Sequence, residues 1–187
     1  MKIGLLFGSF NPIHKGHVAL ARYFVEQTDL DQVWLVLTPQ NPLKAASELL
    51  PDDKRLAMVQ KVAAQLPQIE CCTVEFELPP PHYTYTTLQV LEKKHPNTSF
   101  VVLMGTDLLA QLPQWKFYRE LMDQYPLYIY PRHSQNMPAK VLAEHPNVQH
   151  FDAPTLELSA TQIRELSQAG KDVSHLLPPE ILSDFGV

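Results

Sequence analysis

Apolar and polar positions along the chain fall into two alternating periods. Lys2-Ile3-Gly4-Leu5-Leu6-Phe7 is a short apolar run of the buried-strand type, and the stretch 18–25 behind it repeats its apolar residues at helical spacing. Val33-Trp34-Leu35-Val36-Leu37 predicts a second buried strand. A proline-rich loop over 38–51 leads to a helix over 53–65, with Asp52 placed to cap it. The run 69–76 predicts a third strand whose alternation suggests one wetter face. Pro79-Pro80-Pro81 stiffens the approach to a helix from Thr84 to Lys94, and 99–104 is a fourth strand ending at Gly105.

Short helices over Thr106–Gln111 and 115–122, a strand Leu127–Tyr130, a weaker helix over 139–143 and a strand over 148–151 complete the alternation. Ser159 then opens an amphipathic helix to about residue 169, and 178–185 supplies a last short one. Strands alternating with helices predict an α/β fold: a mostly parallel sheet with helices on both faces and a small C-terminal helical part.

The chain has 187 residues, which suggests a single domain over 1–187 with 155–187 as a helical subregion. A chain of this length buries about 70% of its unfolded surface, so it needs no disulfide or metal staple. The formal net charge of −5 argues against nonspecific nucleic-acid binding. Any phosphate site must then be a local positive pocket on an acidic protein. The two cysteines, Cys71 and Cys72, are adjacent and poorly placed to bridge each other, as expected of a reduced intracellular protein. The N-terminal apolar run is short and broken by the loop at 8–12, so it does not read as a signal peptide, and no stretch approaches a membrane span. The expectation is a soluble cytoplasmic protein with neither nucleic acid nor membrane as partner; self-association is left open.

Chemistry concentrates where the first strand hands over to its helix. Gly8-Ser9-Phe10-Asn11-Pro12-Ile13-His14-Lys15-Gly16-His17 sets two imidazoles three residues apart at the carboxyl end of a strand, the usual ligand crevice of an open α/β sheet. Small Gly8 and Ser9 allow close backbone approach, Gly16 leaves room between the imidazoles, and free N–H groups of a helix start suit phosphate. Taken alone, the pair suits a capped helix start equally well. A zinc site is less favoured, since there is no C-x-x-C and no H-E-x-x-H. The P-loop and G-x-G-x-x-G fingerprints are also missing, so histidines, scattered basic residues and helix N-termini would have to hold phosphates.

A second segment, Leu158-Ser159-Ala160-Thr161-Gln162-Ile163-Arg164, puts a good N-cap and an arginine at another helix start. The Arg164 side chain need not share the face of Ser159, though a flexible arginine there can still reach a phosphate. Thr38-Pro39-Gln40-Asn41-Pro42-Leu43-Lys44 could present Lys44 as a point charge after the second strand.

The run 8–17 resembles the (H/T)-x-G-H signature of the nucleotidyltransferase superfamily, in the form typical of bacterial nicotinate-nucleotide adenylyltransferases. The segment at 158–164 resembles that family's I-S-x-T-x-I-R motif, with Leu158 for Ile, and 38–44 resembles its P-x-N-P-x-K loop. The segment at 104–115 resembles G-x-D-x-L…W, and His82-Tyr83-Thr84-Tyr85-Thr86-Thr87-Leu88 resembles S-Y-T-x-[DQ]-T-L, departing from it at His82 and Thr86. The resemblance covers nearly the whole chain and implies a Rossmann-like, doubly wound sheet.

By that resemblance, His14, His17, Lys44 and Arg164 would be the catalytic residues. Gly8, Ser9, Phe10, His14, His17, Arg132, Ser159, Thr161 and Arg164 would bind ATP. Lys44, Thr84, Tyr85, Asp107 and Trp115 would bind nicotinate mononucleotide, Asp107 meeting ribose hydroxyls and Trp115 stacking on the pyridine ring. Read singly, Asp107 is an ordinary acid at a helix start, Trp115 a packed aromatic and Arg132 a surface residue; Arg55 reads as structural. The implied reaction is adenylyl transfer from ATP to nicotinate mononucleotide, giving nicotinate adenine dinucleotide and pyrophosphate, a step of NAD biosynthesis. Mg²⁺ is expected as cofactor, held through ATP phosphates with no metal ligand from the protein. The same chemistry on nicotinamide mononucleotide or another phosphate acceptor, and a nucleotide-binding module without turnover, are the alternatives.

Overall fold

The apolar runs pair side by side. The computed structural model describes residues 1–39, 49–132, 137–154 and 158–187. Its strands are β1 (Lys2–Gly8), β2 (Gln32–Leu37), β3 (Ile69–Cys72), β4 (Ser99–Gly105), β5 (Leu127–Tyr130) and β6 (Val148–His150). They form one sheet in the order β3-β2-β1-β4-β5-β6, every pair parallel. This is the doubly wound strand order, in which β1 and β4 flank the point where the winding reverses.

Alternation along each strand divides the core. Leu6, Val33, Leu35, Leu37, Val101, Leu103 and Tyr128 pack on one face of the sheet. Ile3, Leu5, Trp34, Val36, Phe100, Val102, Met104, Leu127 and Ile129 pack on the other. Successive side chains of a strand point to opposite faces, so a strand covered on both sides reads as one continuous apolar run.

Helices α1 (Lys15–Gln27), α2 (Asp52–Ala63) and α7 (Ala160–Gln168) cover the first face through Leu20, Phe24, Met58, Val59, Val62 and Ile163. Helices α3 (Thr84–Lys94), α4 (Thr106–Gln111) and α5 (Tyr118–Gln124) cover the second through Leu88, Leu91, Leu109, Leu121 and Met122. Short α6 (Lys140–Ala143) adds Leu142, and α8 (Leu182–Phe185) follows a 3₁₀ turn at Pro179–Ile181 near the C-terminus. No helix among the described residues is long and apolar enough to cross a membrane.

Three elements differ from the sequence expectation. The third strand stops at Cys72, and Val74–Glu77 turns into a 3₁₀ helix that carries Glu75 into the interior at 2% exposure. Helix α2 starts at Asp52 itself, with Pro51 at the cap position; the Asp52 carboxylate pairs with Arg55 instead of capping. Helix α5 begins only at Tyr118, because Phe117 adopts a left-handed backbone (φ 63°) that no helix can include.

In the sheet register, Gly8 pairs with Leu37 and Gly105 with Tyr130. The loops that leave β1, β2, β4 and β5 therefore issue side by side from one edge. That edge is where ligands of such sheets bind.

Candidate active site

Over the carboxyl ends of β1, β4 and β5 lies a cavity of about 570 Å³, closed on its far side by the start of α7. Its walls bring together Gly8, Ser9, Phe10, Asn11, His14, His17, Asp107, Arg132, Ser159, Thr161 and Arg164. All the expected ATP-side residues thus line one space, although Arg164 comes from a helix near the other end of the chain.

His14 and His17 form the floor. His14 is the N-cap of α1, and its Nδ1 accepts the N–H of Gly16 at 3.1 Å. His17 reaches back, its Nδ1 accepting the N–H of His14 at 3.3 Å. A capping box is usually made by a hydroxyl and a carboxylate; two imidazoles make it here. The consequence is chemical. An Nδ1 that accepts a backbone N–H cannot carry the proton of a neutral ring, so the proton sits on Nε2 in both histidines. The capping and phosphate-binding readings of this pair are compatible, since capping uses only one nitrogen of each ring.

The rings stack with centroids 3.7 Å apart and 25° between planes. Gly16 permits this: a Cβ there would lie 2.9 Å from the His14 ring and 3.7 Å from Leu158 Cβ. Phe10 presents its ring edge-on to His17 at 5.0 Å, from a left-handed backbone (φ 42°) unusual for an aromatic residue. Strain of this kind collects at functional sites, where the surroundings enforce it. His14 is 3% exposed; burial, with the Arg132 guanidinium beside it, pushes its imidazole down to about 4. At neutral pH it is a neutral donor.

Two helix starts converge on these rings. At α7, Ser159 Oγ accepts the N–H of Gln162 at 3.1 Å and Gln162 Oε1 accepts the N–H of Ser159 at 3.1 Å, a reciprocal capping box. Arg164 donates from Nη1 to the carbonyl of Asn11 at 2.8 Å, and its Nη2 lies 3.4 Å from Thr161 Oγ1. The α7 start is thereby fastened to the loop that follows β1. Oriented N–H groups of two helices and two guanidiniums make a positive cradle on an acidic protein.

The opposite wall is set by Gly105. A Cβ at this position would run into Asp107 Oδ1 and lie 2.5 Å from Arg132 Cγ, so any other residue would displace one or both of these side chains. The Thr106 hydroxyl accepts the Arg132 N–H at 3.0 Å and lies 3.2 Å from the Arg132 carbonyl; Arg132 Nε is 3.9 Å from Asp107 Oδ2. Arg132 is thus tied by its backbone while its guanidinium stays half-exposed toward the cavity.

Thr84, Tyr85 and Trp115 do not line this cavity. Tyr85, at the start of α3, packs against the loop before α5. Phe117 packs 6.0 Å from Tyr83 and 5.6 Å from Tyr85, and the Tyr85 hydroxyl bonds Gln124 at 3.2 Å. Trp115 is half-buried against the second core face, and its Nε1–H is buried without a partner among the described residues. His82 Nδ1, two residues before α3, shares that condition. Lys44 lies outside the described residues.

Sequence reasoning missed Asn11, whereas Arg55, read there as structural, is fully buried. Asn11 is buried, its Oδ1 accepting the Leu50 N–H at 2.9 Å while its carbonyl holds Arg164. Arg55 stands on the same helical stripe as buried Met58, Val59 and Val62, and an arginine at such a position is the signal that could have exposed it. Among the described residues, no group of three or more His, Cys, Asp or Glu side chains gathers that could hold a metal ion.

The cytidylyltransferase-like family model matches residues 5–166. A relative from Flavobacterium johnsoniae, named "probable nicotinate-nucleotide adenylyltransferase", is 44% identical over 97% of this chain and 94% of its own. One of the same name from Cytophaga hutchinsonii is 44% identical over 97% and 93%. In fold, the chain is similar to Plasmodium falciparum nicotinic acid mononucleotide adenylyltransferase complexed with NaAD: TM-score 0.83, 18% identity, 98% of this chain and 94% of that one.

Proposed function

Because the chain belongs to the cytidylyltransferase-like family, we propose that it transfers the adenylyl group of ATP to nicotinate mononucleotide, giving nicotinate adenine dinucleotide and pyrophosphate. The reaction is nucleotidyl transfer in NAD biosynthesis, the activity for which its relatives at 36–44% identity are named. The observation that carries the reading on this chain is the stacked histidine pair, with both Nδ1 atoms occupied by backbone N–H groups in the cavity that also holds Arg132 and Arg164.

The chemistry requires no nucleophilic side chain. A phosphate oxygen of the mononucleotide, already an anion, attacks the α-phosphorus of ATP. The bond from that phosphorus to the bridging oxygen breaks, and its electron pair leaves with pyrophosphate. No proton need be removed from the attacking group. The protein's task is alignment and stabilisation of the charge that moves onto the leaving group. His14 and His17 donate Nε2–H to phosphate oxygens, and they enter the reaction with tautomer and orientation set. Arg164 and the first-turn amides of α7 hold the outer phosphates. Arg132 adds charge from the β5 side, and Lys44 supplies a further cation.

The pyridine end belongs beside the α3 start. First-turn N–H groups of a helix lack intrahelical partners and favour an anion, here the nicotinate carboxylate. Thr84 and Tyr85 provide them, and Trp115 offers a flat face and an unpartnered N–H. Asp107, at the start of α4 between the two regions, meets ribose hydroxyls.

A divalent cation, Mg²⁺, completes the site. Asp107 is the one acidic side chain among the described residues that line the cavity, and it faces Arg132. Such a wall fits an ion carried by phosphates and water. When bound, it neutralises phosphate charge.

The test is an acceptor panel with ATP and Mg²⁺: nicotinate mononucleotide, nicotinamide mononucleotide and phosphopantetheine, with the product identified by mass. The expected result is nicotinate adenine dinucleotide as the fastest-formed product. An adenylylated product formed faster from another acceptor reassigns the substrate, and ATP binding with no pyrophosphate from any acceptor overturns the reaction.

A further inference from the structure

Arg55 and Glu75 are buried charged side chains with no direct part in the chemistry above. Arg55 is completely enclosed, and each of its five N–H bonds has an acceptor. Nε donates to Leu50 O at 3.0 Å, Nη1 to Ser9 O at 2.7 Å and Thr38 O at 3.0 Å, and Nη2 to Pro39 O at 2.7 Å and to the Asp52 carboxylate. One guanidinium therefore joins the turn that bears the histidines to the backbone leaving β2.

Beside the Thr38 side chain stands Glu75. Burial pushes the Glu75 carboxyl up, and the Thr38 and Thr87 side chains beside it act against that; its Oε2 is buried without a hydrogen-bond partner among the described residues. Thr87 Oγ1 lies 2.8 Å from Glu75 Oε1 and 3.2 Å from the carbonyl of Tyr83, the residue just before α3. Thr38 itself is anchored, its N–H donating to Gly8 O at 2.9 Å. A line of buried polar groups thus runs from Ser9, under the triphosphate cavity, to Tyr83, at the start of the helix assigned to the pyridine carboxylate.

We propose that Arg55, Thr38, Glu75 and Thr87 form a strut that sets the separation of the two half-sites, making them positioning residues for adenylyl transfer. The inference rests on the assignment of adenylyl transfer. In-line attack needs the mononucleotide phosphate and the α-phosphorus held to a fraction of an ångström, and a misplacement of about 1 Å can cost roughly 100-fold. Each substrate still meets its own binding groups when the strut is cut. The damage falls on the relation between them, which is read in kcat rather than in either KM.

The experiment compares Arg55→Lys, Thr87→Val, Thr87→Ser and the double variant Arg55→Lys/Thr87→Val with the wild-type protein. Thr87→Val removes only the hydroxyl that meets Glu75, whereas Thr87→Ser keeps it. The expected result is a kcat lowered about tenfold or more by Arg55→Lys and by Thr87→Val, with both KM values within about threefold of wild type. Thr87→Ser should recover most of the turnover. The double variant should lose little more than the worse single one, because a strut cut at one end is already cut. Wild-type kcat in folded Thr87→Val, a rise in one KM alone, or single losses that multiply in the double variant would each overturn the strut. Should Arg55→Lys fail to fold, the Thr87 pair decides alone. Wild-type turnover is read in the same assay, so a protein without adenylyl transfer is told apart from one without the strut.

Discussion

His17 and His14 are locked to each other through one atom apiece: the Nδ1 of His17 holds the N–H of His14 at 3.3 Å, while the rings stack at 3.7 Å. The pair is a helix cap and a pair of aimed donors at once. Its geometry is set before any ligand arrives, which is what electrostatic catalysis requires, since preorganised donors need no rearrangement as charge develops.

Removing one donor tests this most directly. His17→Ala should lower kcat by about 100- to 1,000-fold, the usual cost of losing a well-aimed donor to a developing anion. The same change leaves the His14 N–H without its cap, worth about 1 kcal/mol, or a Tm lower by roughly 2–4 °C for a chain of this size. Pyrophosphate release and a thermal melt on one preparation separate the two effects; near-normal turnover would sink the mechanism.

The buried imidazole of His14 makes stability depend on pH. Its value is about 4 in the folded chain against 6.5 as the ordinary value. Between those pH values the unfolded chain takes up the proton first, so stability is complete above about 6.5 and falls as pH drops toward 4. The displacement corresponds to about 3 kcal/mol. Urea unfolding at pH 7 and pH 4.5 should show a loss of this order in the wild type and a smaller one in His14→Gln. Equal losses in the two proteins would show that His14 is not the group responsible.

Gly16→Ala separates packing from helix propensity. Alanine should strengthen the first turn of α1 by about 0.5–1 kcal/mol. The new Cβ, 2.9 Å from the His14 ring, must tilt that ring off His17. Overpacking of this kind costs about 1–3 kcal/mol and wins narrowly. We expect a Tm lower by only a few degrees and a kcat lower by about tenfold or more, measured with both substrates saturating. A variant with full activity would mean that the ring stack is incidental.

Trp115 should report on the pyridine alone. Replacing it with alanine is expected to raise the KM for nicotinate mononucleotide about tenfold, the order expected for a lost aromatic stack, and to leave the KM for ATP within about twofold. Trp115→Phe should keep most of the affinity. An increase in the KM for ATP instead would move Trp115 to the other half-site.

Much of the architecture was legible because strands and helices announce themselves through local periods. The helix Thr84–Lys94 and the strand Leu127–Tyr130 fall where the spacing predicts them. The run 69–76 misled because alternating Val74-Glu75-Phe76 suits a strand equally well; the 3₁₀ turn there brings Glu75 inward beside Thr87. Asp52 misled for a similar reason. A cap is a local inference, while the guanidinium that captures Asp52 has its other partners up to 46 residues away.

The sequence by itself determined the order of elements, the all-apolar strands of a sheet covered on both faces, and the residue types gathered at strand ends, because these depend on neighbours within about four positions of one another. Only the tertiary structure decided which nitrogen of each histidine faces the cavity. It alone buried His14 against Arg132, and it carried Arg164 to Asn11 across 153 positions of chain. Those are properties of packing: a tautomer, a depressed imidazole and a converging pair of helix starts exist only once distant segments exclude water from one another.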